Sequence, residues 1–247
     1  MATSNELLNA AKSGNAKALA RVLQAGVDIE AKDFSGLTAA MWASNNGHVD
    51  CLELLIKGGA DVDAKSSQGW TASMRAASNG HAVCLSLLVK AGTDMNAKSS
   101  KGFIASMWAA SLGHVDCLEL LIKGGADVEA KDFTGWTAAM WAARHGRVGC
   151  LSLLTKAGAN VEAKGSTGLT AAMLAARYGH VECLSLLVKD GADVEAKDLE
   201  GLTASMMAAR YGHFECQLMI EVEMERRALQ AEVSTPSPPK PRSSLRV

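Results

Sequence analysis

Apolar positions along this chain recur in a fixed rhythm. In Val49–Lys57, VDCLELLIK, the residues Cys51, Leu52, Leu55 and Ile56 fall at three- and four-residue spacing, which predicts one buried face of a helix. Ahead of it, Ala39 to Asn45 is short and Ala-rich and predicts a first helix. The Thr38 hydroxyl can cap its start, and Gly47 lies just past its end. Gly58-Gly59 closes the second helix, and Ala60-Asp61-Val62 leads into a polar stretch with its own glycine, which predicts a turn. Helix, turn, helix and an extended finger then repeat six times, the last copy altered.

The repeat has a single period. Cys51, Cys84, Cys117, Cys150, Cys183 and Cys216 stand 33 residues apart, as do Gly36, Gly69, Gly102, Gly135, Gly168 and Gly201, and Met41, Met74, Met107, Met140, Met173 and Met206. Such a period means stacked units, none able to bury its apolar face alone. Within one unit the order is Thr38-Ala39-Ala40-Met41-Trp42-Ala43, then Gly47-His48, Leu54-Leu55 and Gly59-Ala60-Asp61-Val62. The frame returns at Thr71, Ile104, Thr137, Thr170 and Thr203. Over residues 5 to about 213 the chain resembles the ankyrin-repeat family, whose helix start reads T-P-L-H-x-A. Here Ala replaces the Pro, Ala or Ser the Leu, and Met the His, so that Met41 and its equivalents fill the space with a flexible apolar chain. The resemblance implies an all-α repeat solenoid of stacked helix-turn-helix ankyrin repeats with short β-hairpin-like fingers.

The ends depart from the frame. Residues 1–30 read as a capping half-repeat with polar outer positions at Asn9, Lys12, Asn15 and Lys17. Five full repeats follow at 31–195, then a modified last repeat and capping helix at 196–233, where Glu223 and Arg227 stand at a favourable spacing. Residues 234–247, STPSPPKPRSSLRV, are too rich in Pro and Ser to pack and read as a disordered tail. Thr235-Pro236 and Ser237-Pro238 fit proline-directed phosphorylation, Pro236 and Pro239 a P-x-x-P groove ligand, and Leu245-Arg246-Val247 a carboxylate-binding groove.

Charge changes little in this picture. A formal net charge of −1 argues against a globally basic nucleic-acid binder. No apolar run is long enough for a transmembrane helix, and the start lacks the pattern of a secretory signal. A monomer without membrane insertion is expected.

The candidate chemistry is thin. His48 and Cys51 are three residues apart, and the pair recurs in four later repeats, which suggests metal. A zinc site needs four converging ligands, yet stacked helices sit roughly 8–10 Å apart. That separation also exceeds disulfide reach. The cysteines are therefore expected as small buried hydrophobes, reduced as in the cytoplasm or nucleus, and the histidines as structural. No catalytic, cofactor or metal residues are assigned, no small-molecule substrate is expected, and an enzyme is not.

Binding is left, and the aromatic residues are sorted. Phe34 and Phe133 lie on fingers, and Trp70, Phe103 and Trp136 follow the turn glycine, where surface exposure is expected. Trp42, Trp108 and Trp141 lie on first helices, exposed or packed between them; Tyr178 and Tyr211 close such helices, and only Phe214 is on a second helix. The resemblance implies that fingers and first helices line a concave face that takes partners. Arg144, Arg177 and Arg210 occupy equivalent places and are expected to form a ladder beside His145, Tyr178 and Tyr211, on stretches without Asp or Glu. The function expected is a protein-interaction adaptor or scaffold binding a partner segment, an acidic one, on this face. A nucleic-acid-associated protein using the Arg/aromatic strip, or a regulatory subunit or inhibitor of an enzyme, are the alternatives.

Overall fold

The computed structural model describes residues 2–234; the segment 235–247, with its Thr-Pro, Ser-Pro, P-x-x-P and Leu-Arg-Val sequences, lies outside the described residues. Among the described residues seven helix pairs stack in one direction. The first helices are α1 (Ser4–Ser13), α3 (Ala39–Asn46), α5 (Ala72–Asn79), α7 (Ala105–Leu112), α9 (Ala138–Arg144), α11 (Ala171–Arg177) and α13 (Ala204–Arg210). The second helices are α2 (Ala16–Gln24), α4 (Val49–Lys57), α6 (Ala82–Lys90), α8 (Val115–Lys123), α10 (Val148–Lys156), α12 (Val181–Lys189) and α14 (Phe214–Ser234). Each first helix packs on the first helix of the next pair and each second helix on the next second helix. Among the described residues no strand forms and no helix is long and apolar enough to cross a membrane.

Local chemistry sets each element. Thr38, Thr71, Thr137, Thr170 and Thr203 accept a hydrogen bond from the backbone N–H three residues on, satisfying a donor left free by the helix start. Ile104 stands at this place in the third full repeat, buried and without a side-chain cap. The small Ala and Ser side chains of the first helices let neighbouring backbones approach closely. The core between the layers is Met41, Met74, Met107, Met140 and Met173 with the paired leucines of the second helices, such as Leu118 and Leu121. Fully burying one such side chain contributes about 1.5–3 kcal/mol. Met206 breaks the series: among the described residues no following first helix covers it, and it is 52% exposed.

Turns lock one pair to the next. The Gly47 backbone takes φ 74°, a left-handed conformation suited to glycine, and a Cβ there would meet His81 Nδ1 at 2.7 Å. The His81 ring donates Nε2–H to the Asn45 carbonyl at 3.1 Å, and His48, His114 and His180 bond Lys12, Ser78 and Arg144 in the same way at 3.0–3.2 Å. At Arg147 the guanidinium takes over, Nε donating to the Ser111 carbonyl at 3.3 Å. These four histidines and Arg147 thus each satisfy a carbonyl at the open end of the preceding first helix.

The fingers are hairpin-like turns rather than strands. Asp33 N–H donates to the Leu37 carbonyl at 3.1 Å and Gly36 N–H to the Asp33 carbonyl at 2.9 Å, while one backbone bond, Ser67 N–H to the Ser35 carbonyl at 3.2 Å, ties finger to finger. A lysine ladder adds to this: Lys32, Lys65, Lys98, Lys131 and Lys164 each donate Nζ–H to the backbone carbonyl of the lysine one repeat on, at 2.9–3.3 Å.

Candidate functional site

The side where finger roots meet first helices carries a continuous row of rings. Trp70 and Trp108 lie 4.5 Å apart between centroids, Trp108 and Phe103 4.7 Å, Phe103 and Trp141 4.9 Å, and Trp141 and Trp136 4.8 Å. In the third and fourth full repeats the 33-residue step places one root ring and one first-helix ring, and Trp108 and Trp141 each lie between two root rings. All pairs are tilted, as ring quadrupoles favour. A groove of about 660 Å³ opens over the row, lined among others by Phe103, Trp108, Phe133, Trp136, Trp141 and Arg144.

Cations close both ends of the row. The Arg75 guanidinium lies 4.4 Å from the Trp70 ring centre, and Arg144 lies 5.3 Å from Trp136, 5.5 Å from Trp141 and 5.2 Å from Tyr178. Arg177 continues the stack at 5.9 Å from Tyr178 and 4.8 Å from Tyr211. The stacking is offset by one repeat: Arg144 and Arg177 each reach the tyrosine of the next repeat, and Arg177 its own Tyr178 as well. Arg210, with no further tyrosine ahead, sits 3.8 Å from the Glu200 carboxylate, a solvent-exposed pair of little energetic weight. His145 stands apart from the ladder. Its ring stacks on Trp141 with centroids 5.8 Å apart, and its Nδ1 lies 3.1 Å from the Trp141 carbonyl and 3.2 Å from Ser111 Oγ. Burial, with the Arg144, Arg147 and His180 charges, holds its pKa below the usual histidine value despite that carbonyl.

One expectation about the finger roots is corrected. Trp136 is buried, 9% exposed, and Trp70 and Phe103 are half-buried, because the rings cover one another and the arginines cover their faces. Trp136 also sinks into a space left by Gly165, where a Cβ would meet Trp136 Cδ1 at 2.7 Å. Trp42, Trp108 and Trp141 are half-buried, the last two against finger-root rings. Phe34 and Phe133 on the finger tips are exposed, as are Tyr178 and Tyr211.

Carboxylates orient two of the indoles. Asp33 Oδ1 accepts from the N–H groups of Ser35 and Leu37, and its Oδ2 from Trp42 Nε1 at 3.0 Å. Asp132 does the same for Thr134, Trp136 and Trp141. Burial alone pushes the Asp33 carboxyl up. The Leu37 and Ser35 N–H groups, the indole and the Lys12 charge outweigh it and hold Asp33 below the usual carboxylate range. In the two fingers between them Ser66 and Ser99 replace the acid, and in the repeat of Ser99 the buried Trp108 Nε1 is left without a hydrogen-bond partner among the described residues. The sequence reading missed Arg75 as the cation at the row's other end; its adjacency to Trp70 appears only once the finger root folds against the first helix.

The histidine–cysteine pairs diverge. The His48 ring turns to the preceding repeat, while the Cys51 thiol points inward to the Ala10 carbonyl at 3.9 Å. All six thiols are free and buried. Burial pushes Cys84, Cys117 and Cys150 up to about 11 and Cys183 up to about 12. At pH 8 the thiolate fraction at a pKa near 11 is on the order of a thousandth. Iodoacetamide at pH 8 is therefore expected to leave these four unmodified in the folded chain and to label all six cysteines in denaturant, as read by intact mass. Stoichiometric labelling of the native chain would contradict their burial.

The comparisons with known proteins agree with this geometry. The family model described as ankyrin repeats (3 copies) matches three times, at residues 7–99, 74–165 and 162–222. No curated protein sequence matches the chain significantly. Among solved structures, the crystal structure of the human ASB11 ankyrin repeat domain superposes with a TM-score of 0.78 at 26% identity, covering 86% of this chain and 96% of that one. With the matched spans together reaching from residue 7 to residue 222, the chain belongs to the ankyrin-repeat family.

Proposed function

We propose that this chain is an adaptor or scaffold whose concave face takes an extended, acidic segment of a partner protein. Ankyrin repeats are in general protein-interaction modules, and what supports the finer reading is one juxtaposition. An aromatic-lined groove of about 660 Å³ adjoins Arg144 and Arg177, whose charges lie stacked on Tyr178 and Tyr211. An apolar anchor residue of the partner enters the groove beside Phe103 and Trp136. Carboxylates following it meet Arg144 and Arg177, with Arg210 further on. Aromatic and arginine side chains concentrate binding energy because they bring large contact area and charge at small entropic cost.

The test uses a fluorescent peptide of alternating Phe and Glu and its Lys counterpart. The Glu peptide is expected to bind more weakly as salt rises. Arg144→Glu with Arg177→Glu is expected to weaken it about 10- to 100-fold and to flatten that salt dependence. Unchanged affinity in the double variant sinks the reading. A steep, sequence-independent affinity for single-stranded oligonucleotides would favour base stacking on the ring row instead.

A further inference from the structure

The last helix departs from the other second helices on the side that faces away from the solenoid. In α4 and α8 the solvent side carries the ion pairs Glu53–Lys57 at 2.7 Å and Glu119–Lys123 at 2.6 Å. The same two places are Ser86 and Lys90 in α6, Ser152 and Lys156 in α10, and Ser185 and Lys189 in α12. In α14 they are Leu218 and Val222, 61% and 57% exposed. Phe214 and Leu229 are exposed as well. At roughly 100° per residue, these four side chains fall within an arc of roughly 80° on the helix surface. Cys216 and Ile220, which α14 buries, lie on the opposite side. The helix thus has two apolar faces, one packed on the repeat and one turned outward.

The charges beside the outer face are mostly acidic, and the two arginines near it are tied to one carboxylate. Arg226 and Arg227 both bond Glu223, at 2.6–2.8 Å, and hold that carboxyl down at about 2. Glu215, Glu221 and Glu225 remain beside the stripe, exposed and in no ion pair with a described residue. A second copy of this helix would bring acid against acid. We propose that the outer face of α14 docks a basic amphipathic helix of another protein, its apolar side on Phe214, Leu218, Val222 and Leu229 and its Lys or Arg residues on the three glutamates. This surface lies on a second helix and shares no residue with the groove over the ring row.

The experiment uses the full chain and a labelled peptide that forms a Leu/Lys amphipathic helix, with a scrambled peptide of equal composition as its control. The variant Leu218→Glu with Val222→Lys restores the pair found in α4 and α8, so the fold is kept; far-UV circular dichroism checks this. Expected are binding of the amphipathic peptide by fluorescence anisotropy, a loss of roughly tenfold or more in the double variant, and weaker binding of the scrambled peptide. Equal binding of both peptides, or no change in the double variant, overturns the proposal. So does sedimentation showing that the chain self-associates and that the double variant abolishes this, because the face would then belong to a second copy.

Discussion

Truncating Met107 to Ala is expected to cost about 2–5 kcal/mol of folding stability, while truncating Met206 to Ala costs under about 1 kcal/mol. The two residues hold the same place in their repeats. Met107 is 0% exposed because α9 covers it, and Met206 is 52% exposed because among the described residues no first helix follows α13. Side-chain chemistry, helix position and the preceding neighbour are shared, so the comparison isolates what the following repeat contributes. In a one-dimensional stack a central lesion also weakens the coupling between the two halves. Urea unfolding of Met107→Ala is therefore expected to broaden or split into two transitions, and that of Met206→Ala to keep the parent's shape. Equal losses at both positions would show that burial by the next repeat is not what holds this methionine.

The same neighbour-by-neighbour logic explains what was legible in the sequence. The period, the helix pairs and the threonine caps follow from short-range spacing, and short range decides them: the first helix expected over Ala39 to Asn45 runs Ala39–Asn46. The thiols are buried because their place on the second helix faces the core in every copy. Burial of Trp136 was not legible from its own repeat, where it follows a turn glycine just as Trp70 and Phe103 follow theirs. The deciding residue is Gly165, one repeat beyond Asp132, where a missing side chain makes room for the indole. The departure was visible as a break in the Asp33, Ser66, Ser99, Asp132 column, but its meaning depends on how one finger root lies on the next. The arginine ladder was offset for the same reason. A side chain near the end of one first helix leans toward the next repeat, so Arg144 stacks on Tyr178 and Arg177 on Tyr211.

That offset bears on function. Arg144 reaches Trp136, Trp141 and Tyr178, and so joins the aromatic row to the tyrosine ladder. Cation–π contact with an exposed ring stabilises by about 0.5–1 kcal/mol, enough to hold the guanidinium in place while leaving its N–H groups for a carboxylate. A preplaced arginine loses less side-chain entropy on binding, which is the physical content of reading this stretch as a docking strip.

Replacing Ser99 by Asp is expected to raise stability by about 1–3 kcal/mol, because it supplies the acceptor that the buried Trp108 Nε1 lacks. The geometry is already present twice. Asp33 and Asp132 each accept two backbone N–H bonds at 2.8–3.0 Å with one oxygen and an indole N–H at 3.0 Å with the other. At residue 99 the corresponding donors are the N–H groups of Lys101 and Phe103 and the Trp108 indole, and Phe103 N–H already donates to Ser99 Oγ at 3.2 Å. Three donors offset the cost of burying the carboxylate. The pH dependence follows from Asp33, whose pKa is held below the usual value. A folded state with the lower pKa binds fewer protons than the unfolded chain, so the gain is full above about 3.9, the unfolded value, and is lost as pH falls through the folded pKa. Ser99→Asn, an uncharged acceptor, is expected to gain less and to show no such pH step. In the Trp108→Phe background the indole donor is gone, and most of the gain from Ser99→Asp should vanish. If Ser99→Asp raises the urea midpoint equally in the parent chain and in that background, the backbone donors alone account for the effect, and the Asp–Trp pairing does not set the position of the ring.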